Sequence, residues 1–303
     1  MERVEALAAV RRLGRRGARG LMGIRALRRP VRAVVATGLV PWWVWVRLPV
    51  DFPFTVAAPG GARFRYVGQA TDGIGRALYW RGLRLWEHET FTVAAHLARR
   101  ARDFWDVGAN TGPFTLLACA VNPALRAHAF EPLPPAYARL LANVAANGWT
   151  DRCVLSPAAV GARAGTGALH VPREATLPTS ASLTPGGFRG LPGTQVDVPV
   201  VTLRDTAGPG DPFDLLKIDV EGLEDQVLEG AGPLLGQRQP AIIVECIPDG
   251  PHRTVEGWLR PLGYRFFHLG PRGPRPRDEI VPDPRERYRN YLALPPGKLN
   301  WLP

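Results

Sequence analysis

Between Asp106 and Thr115 the chain reads DVGANTGPFT, and no other stretch so constrains what it can fold into. Before it, apolar Phe104, Trp105 and Val107 predict the end of a buried strand; after it, Phe114, Leu116, Leu117 and Ala118 open a helix. A strand that enters a helix through a Gly-x-Asn-x-Gly turn brings backbone N–H groups close to a ligand. Glycine is expected there because a Cβ would block that approach. The turn Gly108-Ala109-Asn110-Thr111-Gly112 is therefore expected to cradle a cofactor.

From residue 102 onward the pattern alternates strand and helix. Strands are predicted at 102–107, 126–130, 153–156, 214–218, 241–246 and 264–269, with helices at 113–121, 134–147, 222–235 and 252–261. Pro134 and Pro135 suit the start of one helix, and Asn147-Gly148 its stop. Such alternation implies an α/β fold with a mostly parallel sheet covered on both faces and ligand loops at the carboxyl ends of its strands. Tyr291–Leu294 is expected to be a final edge strand, and Pro271–Arg277 a turn-rich connector. Prolines 172, 178, 185, 192 and 199 break the rhythm, marking an insertion or lid at about 172–199, with strands expected at 166–171 and 196–201. The main domain then spans 102–295. Ahead of it, 51–101 holds two short antiparallel strands (Thr55–Ala57, Phe64–Val67) and a lead-in helix from Glu87 to Arg100.

The net charge of +11 belongs mostly to residues 1–32, where ten arginines stand against Glu2 and Glu5; the rest of the chain is close to neutral. Residues 1–50 thus read as an Arg-rich arm followed by a Trp-rich apolar segment. Ala33–Val46 is too short, and too interrupted by Pro41, to span a bilayer, which takes about 20 apolar residues. Trp42, Trp43 and Trp45 beside the arginines leave two readings open, peripheral contact with a membrane surface and packing on the main domain. Glycines at 14, 17, 20 and 23 argue against one continuous amphipathic helix there. Three widely spaced cysteines (119, 153, 246) suggest neither a disulfide framework nor a metal knuckle, so buried fillers in a reducing cytoplasm are expected.

Glu131 closes the second strand of the main domain, 23 residues after Gly108, where an acid can accept hydrogen bonds from both ribose hydroxyls of any nucleoside. The turn narrows the choice. It lacks the Gly-x-Gly-x-x-Gly of a pyrophosphate cofactor, with Pro at position 113, and better suits a compact nucleoside carrying an amino-acid tail. Asp106 is expected to assist the ammonium end of such a tail, directly or through water. The third station is DLLKIDVEG, Asp214 to Gly222, whose Asp219 and Glu221 emerge at a strand's carboxyl edge. They either orient or deprotonate an acceptor hydroxyl, or simply cap the following helix. Lys217, one of two lysines among 38 basic residues, receives no role.

These segments resemble those of the FkbM-type S-adenosylmethionine-dependent methyltransferases. The similarity rests on DVGANTGPFT, the FEP at 130–132, LLKIDVEG at 215–222 with LEGA at 228–231, and the IIVE at 242–245, and covers about residues 85–270. It implies a class I methyltransferase fold, a seven-stranded sheet with one antiparallel strand. It also implies methyl transfer from S-adenosyl-L-methionine to a hydroxyl of a sugar or polyketide-type natural product. Gly108, Asn110, Gly112 and Glu131 match the family's cofactor positions, and Asp219 and Glu221 its post-strand acids.

Methyl transfer needs the acceptor oxygen aligned on the S–CH₃ axis and its proton removed. Asp219, Glu221 and Glu245 are the expected catalytic acids. They are also hard oxygen donors, but they lie apart in the sequence with no further ligand identifiable, so no metal is expected. The six histidines are isolated, and His88, between Glu87 and Glu89, is the one with a claim on the site. Methylation of nucleic acid, suggested by the basic arm, is disfavoured because Asp219-Val220-Glu221-Gly222 stands where base amino-methylation uses Asn/Asp-Pro-Pro-aromatic. A non-catalytic membrane-docking module would leave the cofactor stations without a purpose.

Overall fold

A computed structural model describes residues 22, 25–37, 39–83, 87–173, 181–183 and 192–303. In chain order the strands are β1 (Pro53–Ala57), β2 (Arg63–Val67), β3 (Asp103–Val107), β4 (Arg126–Phe130), β5 (Cys153–Ser156), β6 (Ala159–Val160), β7 (Gly165–Pro172), β8 (Gly193–Val201), β9 (Leu215–Ile218), β10 (Ala241–Glu245), β11 (Arg265–Gly270), β12 (Gly273–Arg277) and β13 (Asn290–Leu294). The helices that matter here are α1 (Arg25–Ala36), α2 (Gly73–Arg81), α3 (His88–Ala98), α4 (Pro113–Val121), α5 (Pro134–Ala146), α6 (Glu224–Ala231), α7 (Pro233–Arg238) and α8 (His252–Leu259).

The main sheet has the order β12-β11-β13-β10-β9-β3-β4-β5. Strands β5, β4, β3, β9 and β10 run parallel, and β13 is antiparallel to both β10 and β11. This is the class I methyltransferase sheet, its seven strands extended by the hairpin strand β12. Every residue of β3, β9 and β10 is buried, which is why these stretches read as unbroken apolar runs rather than alternating ones.

Three details differ from expectation. Asn290–Leu294 is not an edge strand but lies inside the sheet between β10 and β11, buried along its whole length. Gly273–Arg277, expected as a connector, takes the edge instead. Its Pro274 and Pro276 lack N–H donors, and prolines are tolerated only where no further strand needs them. The helix expected at 222–235 begins at Glu224 and breaks at Gly232 (φ 50), where Pro233 opens α7.

The expected strands of the insertion pair with each other, β7 antiparallel to β8 and β6 parallel to β8, as a separate small sheet. Ser182 bridges back to His170, while residues 174–180 and 184–191 of the proposed lid lie outside the described residues.

The lead-in region packs on the same core. Hairpin β1–β2 alternates buried and exposed residues, and Phe91 of α3 stacks on Phe114 of α4 with centroids 4.1 Å apart. Met22, Val35 and Val50 are buried in the cluster that holds Phe91 and Phe114. The Arg28 guanidinium lies 3.7 Å from the Phe52 ring centroid, and that of Arg32 lies 4.9 Å from Tyr79's. No helix among the described residues is long and apolar enough to cross a membrane. The glycines at 14, 17, 20 and 23 fall outside the described residues.

All three cysteines are free and buried, with the Sγ atoms of Cys119 and Cys153 3.6 Å apart.

Candidate active site

The chain turns outward from β3 toward β4 and β5 on one side, and toward β9 and β10 on the other. Where the strand order reverses, the loops after β3 and β9 part and leave a crevice at the carboxyl edge of the sheet. A cavity of about 500 Å³ fills it. Of the residues predicted for the site, Gly108, Ala109, Asn110, Glu131, Asp219, Glu221 and Glu245 line this one cavity. Asp106 and Gly112 do not.

The glycine turn works differently from the sequence expectation. Its N–H groups are spent within the protein. Those of Gly108 and Ala109 donate to the Phe130 carbonyl (3.1 and 2.9 Å), that of Asn110 to Glu131 Oε2 (2.8 Å), that of Thr111 to Asn110 Oδ1 (2.9 Å) and that of Gly112 to the Ala109 carbonyl (2.9 Å). The turn thus presents shape and side chains to the cavity rather than a row of donors. Gly108 is needed for its left-handed φ of 80° and because a Cβ would collide with the Asp219 carbonyl oxygen, a neighbour in the protein rather than a ligand. Gly112, also left-handed at 88°, abuts Leu140 of α5.

Asp106 sits behind the turn, fully buried. Its Oδ2 accepts from the Thr115 N–H and hydroxyl (3.1 and 2.6 Å), which caps α4, while Oδ1 has no hydrogen-bond partner. It therefore supports the turn from below and is not among the residues that line the cavity. Burial raises its pKa, opposed by Lys217.

Glu131 does face the cavity. Its Oε2 takes the Asn110 N–H and its Oε1 the Leu133 N–H (2.8 Å each), so the carboxylate is held rigid while each oxygen keeps a further lone pair. Burial pushes its pKa up to about 7 against those two hydrogen bonds. Beyond it the wall is apolar, with Leu133, Ala158, Ala159 and Leu169. An acid beside an apolar slot, in a cavity within the roughly 300–1,000 Å³ range of small-molecule sites, fits the ribose and purine of a nucleoside.

On the opposite wall three acids converge. Asp219, Glu221 and Glu245 each present an oxygen, all within 4.8 Å of one another, although they lie apart in the sequence. Glu221 reaches this position from a strained backbone (φ 56), and the hydroxyl of Ser182 in the insertion donates to its carbonyl at 2.9 Å. Glu245 is held well above the ordinary carboxylate range by burial and by the charges of Asp219 and Glu221. Glu224, the first residue of α6, folds back on the loop that carries Asp219 and Glu221, its Oε1 accepting the N–H groups of Gly222 (3.0 Å) and Val220 (3.4 Å).

The sequence missed three residues. Lys217, given no role, is buried on the strand that carries the acids. Its Nζ lies 2.8 Å from Asp219 Oδ2 and 4.6 Å from the Phe114 ring centroid. Burial opposes its charge, but Asp219, Asp106 and Glu87 outweigh that and raise its pKa. Arg289 meets Glu245 Oε1 at 3.3 Å and Glu286 at 3.2 Å. Glu87, not His88, lines the cavity, from a left-handed backbone (φ 46), with its pKa pushed up to about 7 by burial and by Asp219. Only the lysine's isolation within an apolar strand was a sequence signal; the other two depend on long-range folding.

The family profile described as Methyltransferase FkbM domain matches residues 106–266, more than half of the chain. The 31-O-demethyl-FK506 methyltransferase FkbM of Streptomyces tacrolimicus is 34% identical over 249 residues, which cover 71% of this chain and 90% of that protein. The chain belongs to the FkbM methyltransferase family. It is accordingly an S-adenosylmethionine-dependent methyltransferase.

Among solved structures, the FkbM methyltransferase of Methylobacillus flagellatus matches 88% of this chain at 13% identity with a TM-score of 0.43; the chain spans 58% of that protein's length. The S-adenosylmethionine-dependent O-methyltransferase of Thermotoga maritima matches 79% of this chain and 76% of its own, at 12% identity and a TM-score of 0.37.

Proposed function

We propose that this FkbM-family enzyme methylates a hydroxyl oxygen on a small molecule, a sugar or a polyketide-type natural product. The observation that carries the proposal is the meeting of two unlike walls in one cavity. One is an acid beside an apolar slot; the other is a cluster of three carboxylates at the ends of β9 and β10. The family relative whose name specifies an O-demethyl substrate supports oxygen as the methylated atom.

In this reading Gly108, Ala109, Asn110 and Glu131 hold the donor, while Asp106 and Gly112 support the turn that carries them. Bound S-adenosylmethionine supplies an electrophilic methyl on a positively charged sulfur. The chain's part is to place an acceptor oxygen in line with that methyl and to take its proton. Glu221 and Asp219 orient the acceptor, and Glu245, which brings its carboxylate within reach of theirs from the end of β10, receives the hydroxyl proton. The apolar side chains lining the cavity exclude water that would compete as acceptor.

Incubating the enzyme with S-adenosylmethionine and panels of hydroxylated sugars and macrolide-type compounds, with S-adenosylhomocysteine followed by mass spectrometry, tests the proposal. Turnover with a hydroxylated acceptor is expected, with its product carrying an O-methyl group. Turnover confined to amines or to nucleic acid would overturn it. Glu245→Gln should lower kcat by about 10²–10⁴-fold, the usual worth of general acid–base assistance, and leave donor affinity unchanged.

A further inference from the structure

We infer that Asp219, Glu221, Glu245 and Asn290 form a binding site for one divalent cation of the Mg²⁺, Mn²⁺ or Ca²⁺ type, on the acceptor side of the cavity. The three carboxylates offer oxygens within 4.8 Å of one another. Two ligands on opposite sides of a hard cation sit about 4.2 Å apart for Mg²⁺ and about 4.8 Å apart for Ca²⁺, given metal–oxygen distances of about 2.1 and 2.4 Å. Oxygens spaced in this way can all reach one ion.

The independent observation is Asn290. It opens β13 directly opposite Glu245 on β10, so the two side chains leave the same face of the sheet as neighbours. Asn290 is only 8% exposed, it lines the cavity, and its Oδ1 has no hydrogen-bond partner. Glu245 Oε2, on a residue 7% exposed, is likewise without one. Polar oxygens buried this deeply without partners are costly unless something satisfies them. An amide oxygen beside three carboxylates is a hard-donor set that suits a hard cation.

Local positive charge does not supply the missing partner. Lys217 is engaged with Asp219 and shared with Asp106 and Glu87, and Arg289 meets Glu245 through the other oxygen and is shared with Glu286. The proposal deepens the methyltransferase reading, because a cation here would bind the acceptor hydroxyl and lower its pKa. It rests on that reading for its purpose and not for its existence.

The test titrates Mn²⁺ into the full chain, following free Mn²⁺ by electron paramagnetic resonance, alone and with saturating S-adenosylhomocysteine. Donor-site binding is measured separately by calorimetry. One saturable Mn²⁺ per chain is expected, undisturbed by S-adenosylhomocysteine. Glu245→Gln should weaken it at least tenfold with S-adenosylhomocysteine affinity held within twofold. Asn290→Asp, which adds a charge at the fourth ligand, should tighten it severalfold and carries the test alone should Glu245→Gln not fold.

A chain that binds S-adenosylhomocysteine but no Mn²⁺ overturns the cation site and leaves the methyltransferase reading standing. Displacement of Mn²⁺ by S-adenosylhomocysteine also overturns it, because the acids would then hold the donor's own ammonium. Mn²⁺ binding without S-adenosylhomocysteine binding supports the cation site and sinks the donor assignment instead.

Discussion

Gly108 and Gly112 bracket the same turn, both have left-handed backbones, and the structure assigns them unequal costs on substitution. An alanine at either position meets the penalty for a Cβ at positive φ, roughly 1–2 kcal/mol. At Gly112 (φ 88) the new Cβ would lie 2.5 Å from Leu140 Cδ1, the far end of a flexible side chain that can rotate away. At Gly108 (φ 80) it would overlap the Asp219 carbonyl oxygen and lie 2.9 Å from its carbonyl carbon. Ordinary contact begins at 3.4 Å, so the Asp219 carbonyl oxygen must retreat by more than an ångström, and it is backbone. The Asp219 N–H is tied to the Val107 carbonyl at 3.0 Å, so the strand ends resist.

Overpacking of this kind adds about 1–3 kcal/mol, which puts Gly108→Ala at about 2–5 kcal/mol against about 1–2 for Gly112→Ala. Because the peptide that moves carries Asp219, Gly108→Ala should also lower turnover with whichever acceptor is found, beyond any change in donor binding. Urea unfolding at equilibrium gives the stabilities, and calorimetry with S-adenosylhomocysteine the donor affinity. If Gly108→Ala proved no less stable than Gly112→Ala, the account of the turn as a close contact between two sheet loops would be wrong.

Three further outcomes follow from the buried charges. Lys217→Met should destabilise by roughly 3–5 kcal/mol near pH 8, because Asp219, Asp106 and Glu87 lose their shared cation, and by less at pH 5.5, below the pKa of about 7 of Glu87, which then holds a proton; equal losses at both values refute it. Glu87, Glu131 and Glu224 have folded-state pKa values of about 7 against an ordinary 4.5. The folded chain therefore binds more protons than the unfolded one between those values, so these groups make stability fall as pH rises from about 4.5 through 7. Urea midpoints across that range check it, and Glu87→Gln should flatten the slope. Donor affinity should rise between pH 6 and 8 as Glu131 ionises and becomes the better acceptor for ribose hydroxyls, and Glu131→Gln should abolish that rise; an unchanged pH profile in the variant removes Glu131 from the donor site.

The family and the order of its parts were legible in the chain because they depend on neighbours in sequence. Apolar runs such as Leu215–Ile218 and Ala241–Glu245 announce buried strands, and the spacing from Gly108 to Glu131 is one strand–turn–helix–strand unit. Tertiary structure alone decided what depends on meetings between distant segments. Tyr291–Leu294 reads only as a final edge strand until β10 and β11 leave a gap that an antiparallel strand from the C-terminal side fills. The glycine turn is held partly from outside the main domain. The Tyr66 hydroxyl on β2 pairs with Thr111 Oγ1 and donates to Asp72, both at 2.6 Å, and Asn143 on α5 donates to the Thr111 carbonyl at 2.7 Å.

In the same way Asp219, Glu221, Glu245 and Asn290, scattered over some seventy residues, become one oxygen-lined wall only because β9, β10 and β13 lie side by side. Local pattern carries periodicity and turn geometry, since these are properties of adjacent backbone. Which side chains share a buried space is set by strand order, and a single sequence encodes that order only through the packing of the whole sheet.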